Sequence, residues 1–244
     1  MSADWPVFRF DQIDSTNTEA KRRAATGRFE DQWLVAGQQS AGRGRQGKAW
    51  LSPLGNLYAT ALFSEPGGIP VALRIPFAAA LAVSDTLTRF AGTAGIQLKW
   101  PNDVRADGQK VSGILVETGG GDPVHWIAAG IGINVSAMPD NPGQPATTLS
   151  ALCGQPVDVN AVFETLRASF AARLLQARTG FESLRTDWLA RAEGLGQAVS
   201  VRTGDQAVEG VFEDMEADGG LRLRLPDGSA RIIRAGEVNL LGRS

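Results

Sequence analysis

Apolar residues follow two patterns along most of the chain: short runs between turn residues and longer stretches with helical spacing. The short runs predict strands at residues 7–10, 33–36, 56–63, 97–100, 111–117 and 126–135. The longer stretches predict helices from residue 14 to the vicinity of residue 26 and at residues 73–90, 159–178 and 181–192. The stretch at residues 73–90 is long, apolar and rich in alanine, so a buried helix is expected there.

The pattern changes after a glycine-containing boundary at residues 194–196. Beyond it, residues 199–201 and 221–225 alternate between apolar and polar side chains, and turns of the Asp-Gly type separate such segments. We therefore expect a small all-β domain at residues 195–244, after a larger domain at residues 1–194.

The composition is that of an ordinary globular protein, with 43% hydrophobic and 20% charged residues. The formal net charge is −2, so no overall positive field would draw the protein to nucleic acid or to an anionic membrane. The N-terminus lacks a charged-then-apolar signal pattern, and the longest apolar stretch, at residues 75–83, is about half as long as a membrane span. These features predict a soluble cytoplasmic protein that binds neither DNA nor a membrane.

The chain contains one cysteine, Cys153, and one histidine, His125. A single cysteine excludes a disulfide within the chain and a cysteine-rich metal site. With one histidine, the sequence predicts neither a Ser/His/Asp triad nor a histidine-based metal site. Both residues are interpreted as structural, and no side chain is identified as a metal ligand.

A glycine- and arginine-rich loop at residues 42–47 matches the pattern GxGxxG of dinucleotide-binding proteins. That interpretation needs a helix that begins at the motif, but a proline and a glycine interrupt the segment that follows. The loop instead offers three cations, Arg43, Arg45 and Lys48, on a backbone that glycine allows to approach an anion closely. It is a candidate phosphate-binding loop, and a solvated basic loop is the alternative.

Other polar groups lie at the ends of predicted elements. Residues 15–18 place hydroxyl and amide groups at a helix start, where capping is their common role. Residues 99–103 end a strand in a Pro-Asn-Asp turn. Lys110 follows at the mouth of the next strand, either as a positive charge near a ligand or as a snorkelling edge residue. Residues 130–134 place glycines inside a strand, which often marks the close approach of a ligand or another backbone.

Taken in order, five of these segments resemble the biotin protein ligase family. The family patterns STN, GRGRxG, KWPND, KxxGILVE and GIGIN occur here at residues 15–17, 42–47, 99–103, 110–117 and 130–134. The resemblance covers residues 10–149. It implies an α/β (α+β) fold, in which a mixed central sheet flanked by helices forms a biotin/lipoate ligase-like catalytic domain. A small all-β SH3-like barrel would follow.

The resemblance also implies residue roles, with Lys110 and Arg45 as the catalytic cations. The biotin-binding residues would be Ser15, Thr16, Asn17, Gln39, Arg43, Gly44, Arg45, Lys110 and Gly113. The nucleotide-binding residues would be Arg45, Trp50, Asn102, Lys110 and Asn134. Trp50 would stack on adenine. Neutral polar groups suit the ureido ring of biotin because burying a charge against a neutral ligand is costly.

The implied reaction joins biotin to AMP, with ATP and Mg²⁺, and then transfers biotin to a lysine of a biotin carboxyl carrier protein. Family members that repress transcription carry an N-terminal DNA-binding domain. The chain begins at the catalytic domain, so a monofunctional ligase is expected. Gln46 and Lys48 stand where some members have arginine, which weakens the expected positive charge of the loop. Both a monomer and a homodimer are compatible with the sequence.

Three alternatives stay open at this point. A lipoate or octanoate ligase shares the catalytic fold, although KWPND together with KxxGILVE favours biotin. A non-catalytic nucleic-acid-binding module would suit a GRGR loop and a small barrel, but the acidic balance argues against it. A catalytically dead biotin-binding protein is disfavoured because Lys110 and Arg45 are retained.

Overall fold

A mixed β-sheet forms the centre of the larger part of the molecule. The computed structural model describes residues 4–27, 29–92, 95–120, 126–138 and 143–241. The strands of this central sheet are β1 (Val7–Ile13), β2 (Gln32–Gln39), β3 (Leu57–Phe63), β4 (Ile96–Lys99), β5 (Asp103–Ala106), β6 (Gln109–Gly119) and β7 (Trp126–Ile133). Their spatial order is β1-β2-β3-β7-β6-β5-β4. Strands β1 and β2 are parallel, and the other neighbouring pairs are antiparallel.

Helices cover both faces of the central sheet. They are α1 (Thr16–Ala25), α2 (Gly68–Ala72), α3 (Ile75–Ala91), α4 (Leu149–Cys153), α5 (Val159–Thr179) and α6 (Glu182–Leu189). Helices α3 and α5 pack against each other, whereas α1 packs against β2, β3 and β7. The segment Gly68–Ala91 is the one helical stretch of the described residues that is long and apolar enough to span a membrane. Most of it is buried inside the protein, so its apolar character is explained by the core.

Side chains of β3 alternate between the two faces of the central sheet, one covered by α3 and α5 and the other by α1. Leu57 and Phe63 belong to the main core together with the buried side chains of α3 and α5. Leu62 points the other way, into a smaller cluster with Ala20 and Ala24 of α1. Burial of a large apolar side chain stabilises a fold by roughly 1.5–3 kcal/mol. The period of two therefore places one side of β3 in the main core and the other side against α1.

A separate antiparallel sheet follows at the C-terminal end. Its strands are β8 (Ala198–Thr203), β9 (Gln206–Met215), β10 (Leu221–Arg224), β11 (Ala230–Ile233) and β12 (Glu237–Leu240), in the spatial order β11-β10-β9-β8-β12. It is joined to the central sheet by the indole N–H of Trp100, which donates to the carbonyl of Gly219 at 3.0 Å. Arg185 of α6 also contacts β9, because its Nε donates to the carbonyl of Met215 at 2.6 Å.

The observed architecture confirms the predicted fold class: a mixed sheet with flanking helices, followed by a small β unit. Several elements differ from the expectation. Residues 103–106 form a strand, β5, where the sequence predicted only turns between 97–100 and 111–117. Its pairing with β4 and β6 buries Val104, and that pairing is not visible in a segment so short. The short helices α2 and α4 and the strands β9, β11 and β12 were also not predicted.

Candidate functional site

A cavity of about 420 Å³ opens beside the ends of β2, β4, β6 and β7. Its lining contains every residue that the sequence assigned to the site. These are Ser15, Thr16, Asn17, Gln39, Arg43, Gly44, Arg45, Trp50, Asn102, Lys110, Gly113 and Asn134. The five motifs, which are distant in sequence, therefore meet around one cavity.

The start of α1 supplies neutral hydrogen-bonding groups to one end of the cavity. Ser15 is the N-cap of α1, and its side chain accepts the backbone N–H of Thr18. The side-chain oxygen of Gln39 accepts the backbone N–H of Thr16 at 2.8 Å, while its Nε2 donates to Ser52 at 3.0 Å. The capping interpretation and the binding interpretation of this segment are thus compatible, because Thr16 lines the cavity while Ser15 also caps the helix.

Asn17 lies against the strands β6 and β7. Its Nδ2 donates to the carbonyl of Leu115 at 3.2 Å and to Oε2 of Glu117 at 3.1 Å. A Cβ atom added to Gly130 would lie 2.1 Å from Oδ1 of Asn17, so a side chain there would displace the amide. Glycine at position 130 is explained by this close approach.

The loop at residues 42–49 is held by its own backbone. The N–H of Gly44 donates to the carbonyl of Lys48 at 2.7 Å, and the N–H of Trp50 donates to the carbonyl of Gly42 at 2.9 Å. Gln46 has a φ of 54°, a left-handed conformation that is uncommon without glycine. A Cβ on Gly42 would lie 2.3 Å from the carbonyl oxygen of Trp50. The loop folds back on itself and does not begin a long helix, in agreement with the rejection of a dinucleotide-binding fold.

The described part of the cavity lining includes five cations, each with a polar partner: Arg43, Arg45, Lys48, Lys99 and Lys110. Nη1 of Arg43 lies 3.2 Å from a carboxylate oxygen of Glu117. Nη1 of Arg45 donates to the side-chain oxygen of Asn102 at 3.2 Å. Burial lowers the pKa of Arg45, but a guanidinium stays charged at neutral pH. Positive charge is thus gathered next to the neutral end of the cavity.

Another of these cations is Lys110, the second residue of β6. Its Nζ lies 2.8 Å from Oδ1 of Asp103, and the two side chains are 16% and 14% exposed. Its backbone N–H donates to the carbonyl of Pro145 at 2.8 Å, and its carbonyl accepts the N–H of Thr147 at 2.9 Å. These bonds place the segment that follows residue 143 along the rim of the cavity.

Trp50 lies flat against a pair of glycines on the cavity wall. Gly113 of β6 and Gly132 of β7 face each other across the two strands. A Cβ on Gly113 would lie 2.7 Å from the indole, and one on Gly132 would lie 2.6 Å from its Nε1. The Lys110 ammonium lies 5.3 Å from the ring centroid. Both glycines are explained by the space that the indole occupies.

Two buried polar atoms at the cavity lack a hydrogen-bond partner within the described parts of the chain. They are Nε1 of Trp50 and Oδ1 of Asn134. Asn134 is 2% exposed, and its Nδ2 donates to the carbonyl of Thr147 at 3.3 Å. An unsatisfied buried donor or acceptor costs about 1–3 kcal/mol, so these two atoms are suited to a ligand that completes them.

Several residues that line the cavity have no role predicted from the sequence, among them Lys99, Asp103 and Glu237. Lys99 and Asp103 belong to the KWPND motif, so a signal for them existed. Burial, followed by repulsion from Arg105, lowers the pKa of Lys99. Glu237 comes from β12, and no local pattern connects that strand with the motifs. It reaches the rim through an ion pair with Lys48 at 3.4 Å.

The described residues contain no group of three or more His, Cys, Asp and Glu side chains that could hold a metal ion. Of the residues that the structure describes in the cavity lining, Asp103 and Glu237 carry carboxylates. Cys153 lies in α4 and is not in the lining; burial raises the pKa of its thiol. His125 lies outside the described residues, so its structural interpretation is untested.

Two family models match the chain, one in its larger part and one in its C-terminal part. Residues 9–134 match the model of the biotin/lipoate A/B protein ligase family. Residues 194–241 match the model of the biotin protein ligase C-terminal domain.

Individual proteins are similar over nearly the whole chain. The biotin–[acetyl-CoA-carboxylase] ligase of Paracoccus denitrificans is 40% identical over 93% of this chain and 97% of its own length. The ligase of the same name from Mycobacterium tuberculosis is 33% identical over 93% of this chain and 86% of its own length. A solved structure, the biotin protein ligase of Aquifex aeolicus in complex with biotin and ATP, is 28% identical. It superposes with a TM-score of 0.81 over 96% of this chain and 98% of that chain.

Proposed function

The chain belongs to the biotin/lipoate A/B protein ligase family, and from this membership we propose that it is an ATP-dependent biotin protein ligase. It forms biotinyl-5′-AMP from biotin and ATP and then transfers the biotin to a lysine of an acceptor protein. The observation that carries the proposal is the cavity itself. Neutral hydrogen-bonding groups lie at one end, and the cations Arg43, Arg45 and Lys110 lie beside them.

The neutral end suits the head of biotin. A ureido ring offers two N–H donors and one carbonyl acceptor, and Ser15, Thr16, Asn17 and Gln39 supply matching hydroxyl and amide groups. No charge needs to be buried against this neutral ring. Gly113 also lines the cavity, and its lack of a side chain lets the indole of Trp50 lie against β6 beside the proposed biotin position. We propose that these residues hold the biotin head.

The cations suit the reacting end. In the first step, an oxygen of the biotin carboxylate attacks the α-phosphorus of ATP, the new P–O bond forms, and pyrophosphate leaves. Two anions must approach each other, so positive charge stabilises the transition state. Arg43 and Gly44 would hold the carboxylate, with Arg45 and Lys110 at the α-phosphate. Lys110 and Arg45 are therefore the proposed catalytic residues.

The nucleotide would occupy the region of Trp50, Asn102 and Asn134. The buried Oδ1 of Asn134 can accept a hydrogen bond from an amino group, and the indole of Trp50 offers a face on which adenine can stack. Asn102 holds Arg45 and donates through Nδ2 to the carbonyl of Ile114 at 2.9 Å. It links the loop to β6, close to the proposed nucleotide position.

Magnesium would enter with ATP. Mg²⁺ prefers oxygen ligands and commonly combines one or two carboxylates with phosphate oxygens, and Asp103 supplies a carboxylate in the cavity. Bound there, the ion would neutralise the charge that develops on the phosphates.

In the second step the neutral amine of the acceptor lysine attacks the biotinyl carbonyl carbon, the amide bond forms, and AMP leaves. The names of the relatives support a biotin carboxyl carrier protein of a carboxylase as the acceptor.

We also propose that the enzyme is cytoplasmic, that it binds neither DNA nor a membrane, and that it is a monomer or a homodimer. Residues 1–194 would form the catalytic domain and residues 195–244 the SH3-like domain.

ATP–pyrophosphate exchange tests the proposal. The folded protein is incubated with Mg²⁺, ATP and labelled pyrophosphate, with biotin, with lipoate, or with neither. Exchange that requires biotin is the expected result. Exchange with lipoate alone would be consistent with the ligase family but would refute biotin as the substrate. No exchange with either acid would refute the ligase activity.

A further inference from the structure

Thr60 is a buried residue that lies within hydrogen-bond distance of two side chains that line the cavity, Thr16 and Asn17. Thr60 lies in β3 and is 0% exposed. It faces α1, between Tyr58, which lines the cavity, and Leu62, which packs on α1. Its hydroxyl oxygen lies 2.8 Å from Oγ1 of Thr16 and 2.7 Å from Oδ1 of Asn17. No sequence motif marks this position.

The orientation of the Asn17 amide follows from its other partners. The carbonyl of Leu115 and the carboxylate of Glu117 can only accept hydrogen bonds, so the group that faces them is the NH₂. Both of its hydrogens are used there. Oδ1 of Asn17 is therefore an acceptor, and the hydroxyl of Thr60 must donate to it.

The direction of the next hydrogen bond follows in turn. A hydroxyl has one hydrogen, and that of Thr60 is committed to Asn17. The Thr16 hydroxyl must therefore donate to Thr60 across their 2.8 Å contact. Its other neighbour, Oε1 of Gln39, is farther away at 3.2 Å and already accepts the backbone N–H of Thr16. The lone pairs of Thr16 and of Asn17 Oδ1 are left as acceptors at the cavity.

We propose that Thr60 is a positioning residue. It orients the side chains of Thr16 and Asn17 so that both present hydrogen-bond acceptors at the neutral end of the cavity. The inference rests on the proposed function, and it explains the preference for a cyclic urea. Two N–H donors of the ureido ring match the two acceptors. The dithiolane ring of lipoate has no N–H donor and would leave both acceptors buried and unpaired, which a hydrogen-bonding site rejects strongly.

Three variants test the role of Thr60. Thr60→Val keeps the shape of the side chain and removes the donor, whereas Thr60→Ser keeps the donor. Thr86→Val is the matched control, because Thr86 is also 0% exposed and donates only within α3, to the carbonyl of Ala82. Calorimetry measures the Kd of biotin and, separately, the Kd of ATP, and thermal melting confirms folding. If Thr60→Val melts below the assay temperature, Thr60→Ala takes its place with the same expectation.

We expect Thr60→Val to weaken biotin binding about tenfold, the equivalent of one lost or unsatisfied hydrogen bond, with the Kd of ATP unchanged. Thr60→Ser should restore binding, and Thr86→Val should bind both ligands like the wild type. Unchanged biotin binding by Thr60→Val, equal losses for biotin and ATP, or no rescue by serine would each overturn the positioning role. A wild-type protein that binds no biotin would instead refute the proposed function, so the two failures are distinguishable.

Discussion

Lys110 and Asp103 form an ion pair of 2.8 Å between neighbouring strands at the cavity. Each residue belongs to a different motif, KxxGILVE and KWPND, and the two motifs are brought together by the pairing of β5 with β6. Neither side chain is fully buried, so the pair can open when a ligand competes for it. The proposed catalytic lysine is thus held in place by a carboxylate before the substrate arrives.

Removal of Lys110 should impair the first half-reaction most. Lys110→Gln takes away a cation from the developing charge on the α-phosphate, and comparable losses of a stabilising donor reduce kcat by about 10²- to 10³-fold. Biotin-dependent ATP–pyrophosphate exchange measures the effect. Arg222→Gln, which removes an exposed cation from β10, is the control and should exchange like the wild type. Equal activity of Lys110→Gln and the wild type would contradict the assignment.

A methyl group on Gly132 should displace Trp50. Gly132→Ala places a Cβ 2.6 Å from the indole Nε1, far inside van der Waals contact, so the ring must move from the wall. We expect the Kd of ATP to rise by about tenfold or more, as for the loss of an oriented aromatic contact, with a smaller effect on biotin. Gly180→Ala is the control, because nothing lies within 4 Å of its added Cβ. Retained ATP affinity in Gly132→Ala would show that the position of Trp50 is unimportant for the nucleotide.

Trp100 should stabilise the contact between the two sheets. Trp100→Phe leaves the carbonyl of Gly219 without the indole donor, which should cost about 1–3 kcal/mol in addition to lost packing. Trp188→Phe is a matched control, because its buried Nε1 has no partner among the described residues and only packing is lost. The free energy of unfolding in urea should fall more for Trp100→Phe. Equal losses would mean that the hydrogen bond contributes nothing.

The stability contributed by Asp14 should depend on pH. A hydrogen bond from Arg22, with further help from the N–H of Ser15, lowers the pKa of Asp14 from its ordinary value of 3.8 to about 2. A carboxyl group with a depressed folded pKa stabilises the fold above its unfolded pKa, and the contribution is lost as pH falls through the folded value. The Tm difference between wild type and Asp14→Asn should therefore be constant above roughly pH 5, shrink as the pH falls toward 2, and vanish only below that value.

The control for this prediction is Arg22→Gln, which removes the main cause of the shift. In that background, Asp14→Asn should change Tm less at neutral pH, and the dependence on pH should move toward higher values. A Tm difference that persists unchanged at pH 2 would be inconsistent with ionisation of Asp14 as the source. Asp14 is partly exposed, so the effect should also weaken in high salt.

Local sequence determined much of the site because its chemistry is concentrated in short segments. The start of α1 was predictable from capping residues, and the loop at residues 42–47 was predictable from glycines beside arginines. Every residue to which the sequence assigned a binding or catalytic role lines the same cavity. The central strands were visible because alternation and short apolar runs are properties of neighbouring residues.

Tertiary structure decided what depends on residues that are distant in the chain. Strand β5 exists because β4 and β6 pair with it. The indole of Trp50 can pack against two glycines because the register of β6 and β7 sets Gly113 opposite Gly132. Thr60 is an ordinary strand residue until β3 brings it against Thr16 and Asn17, and Glu237 reaches the cavity only through the docking of the C-terminal sheet. The sequence alone determined which chemical groups are present, because those are local. Only the folded chain decided which groups meet and in which direction their hydrogen bonds run, because cross-strand register and packing are not encoded in any single segment.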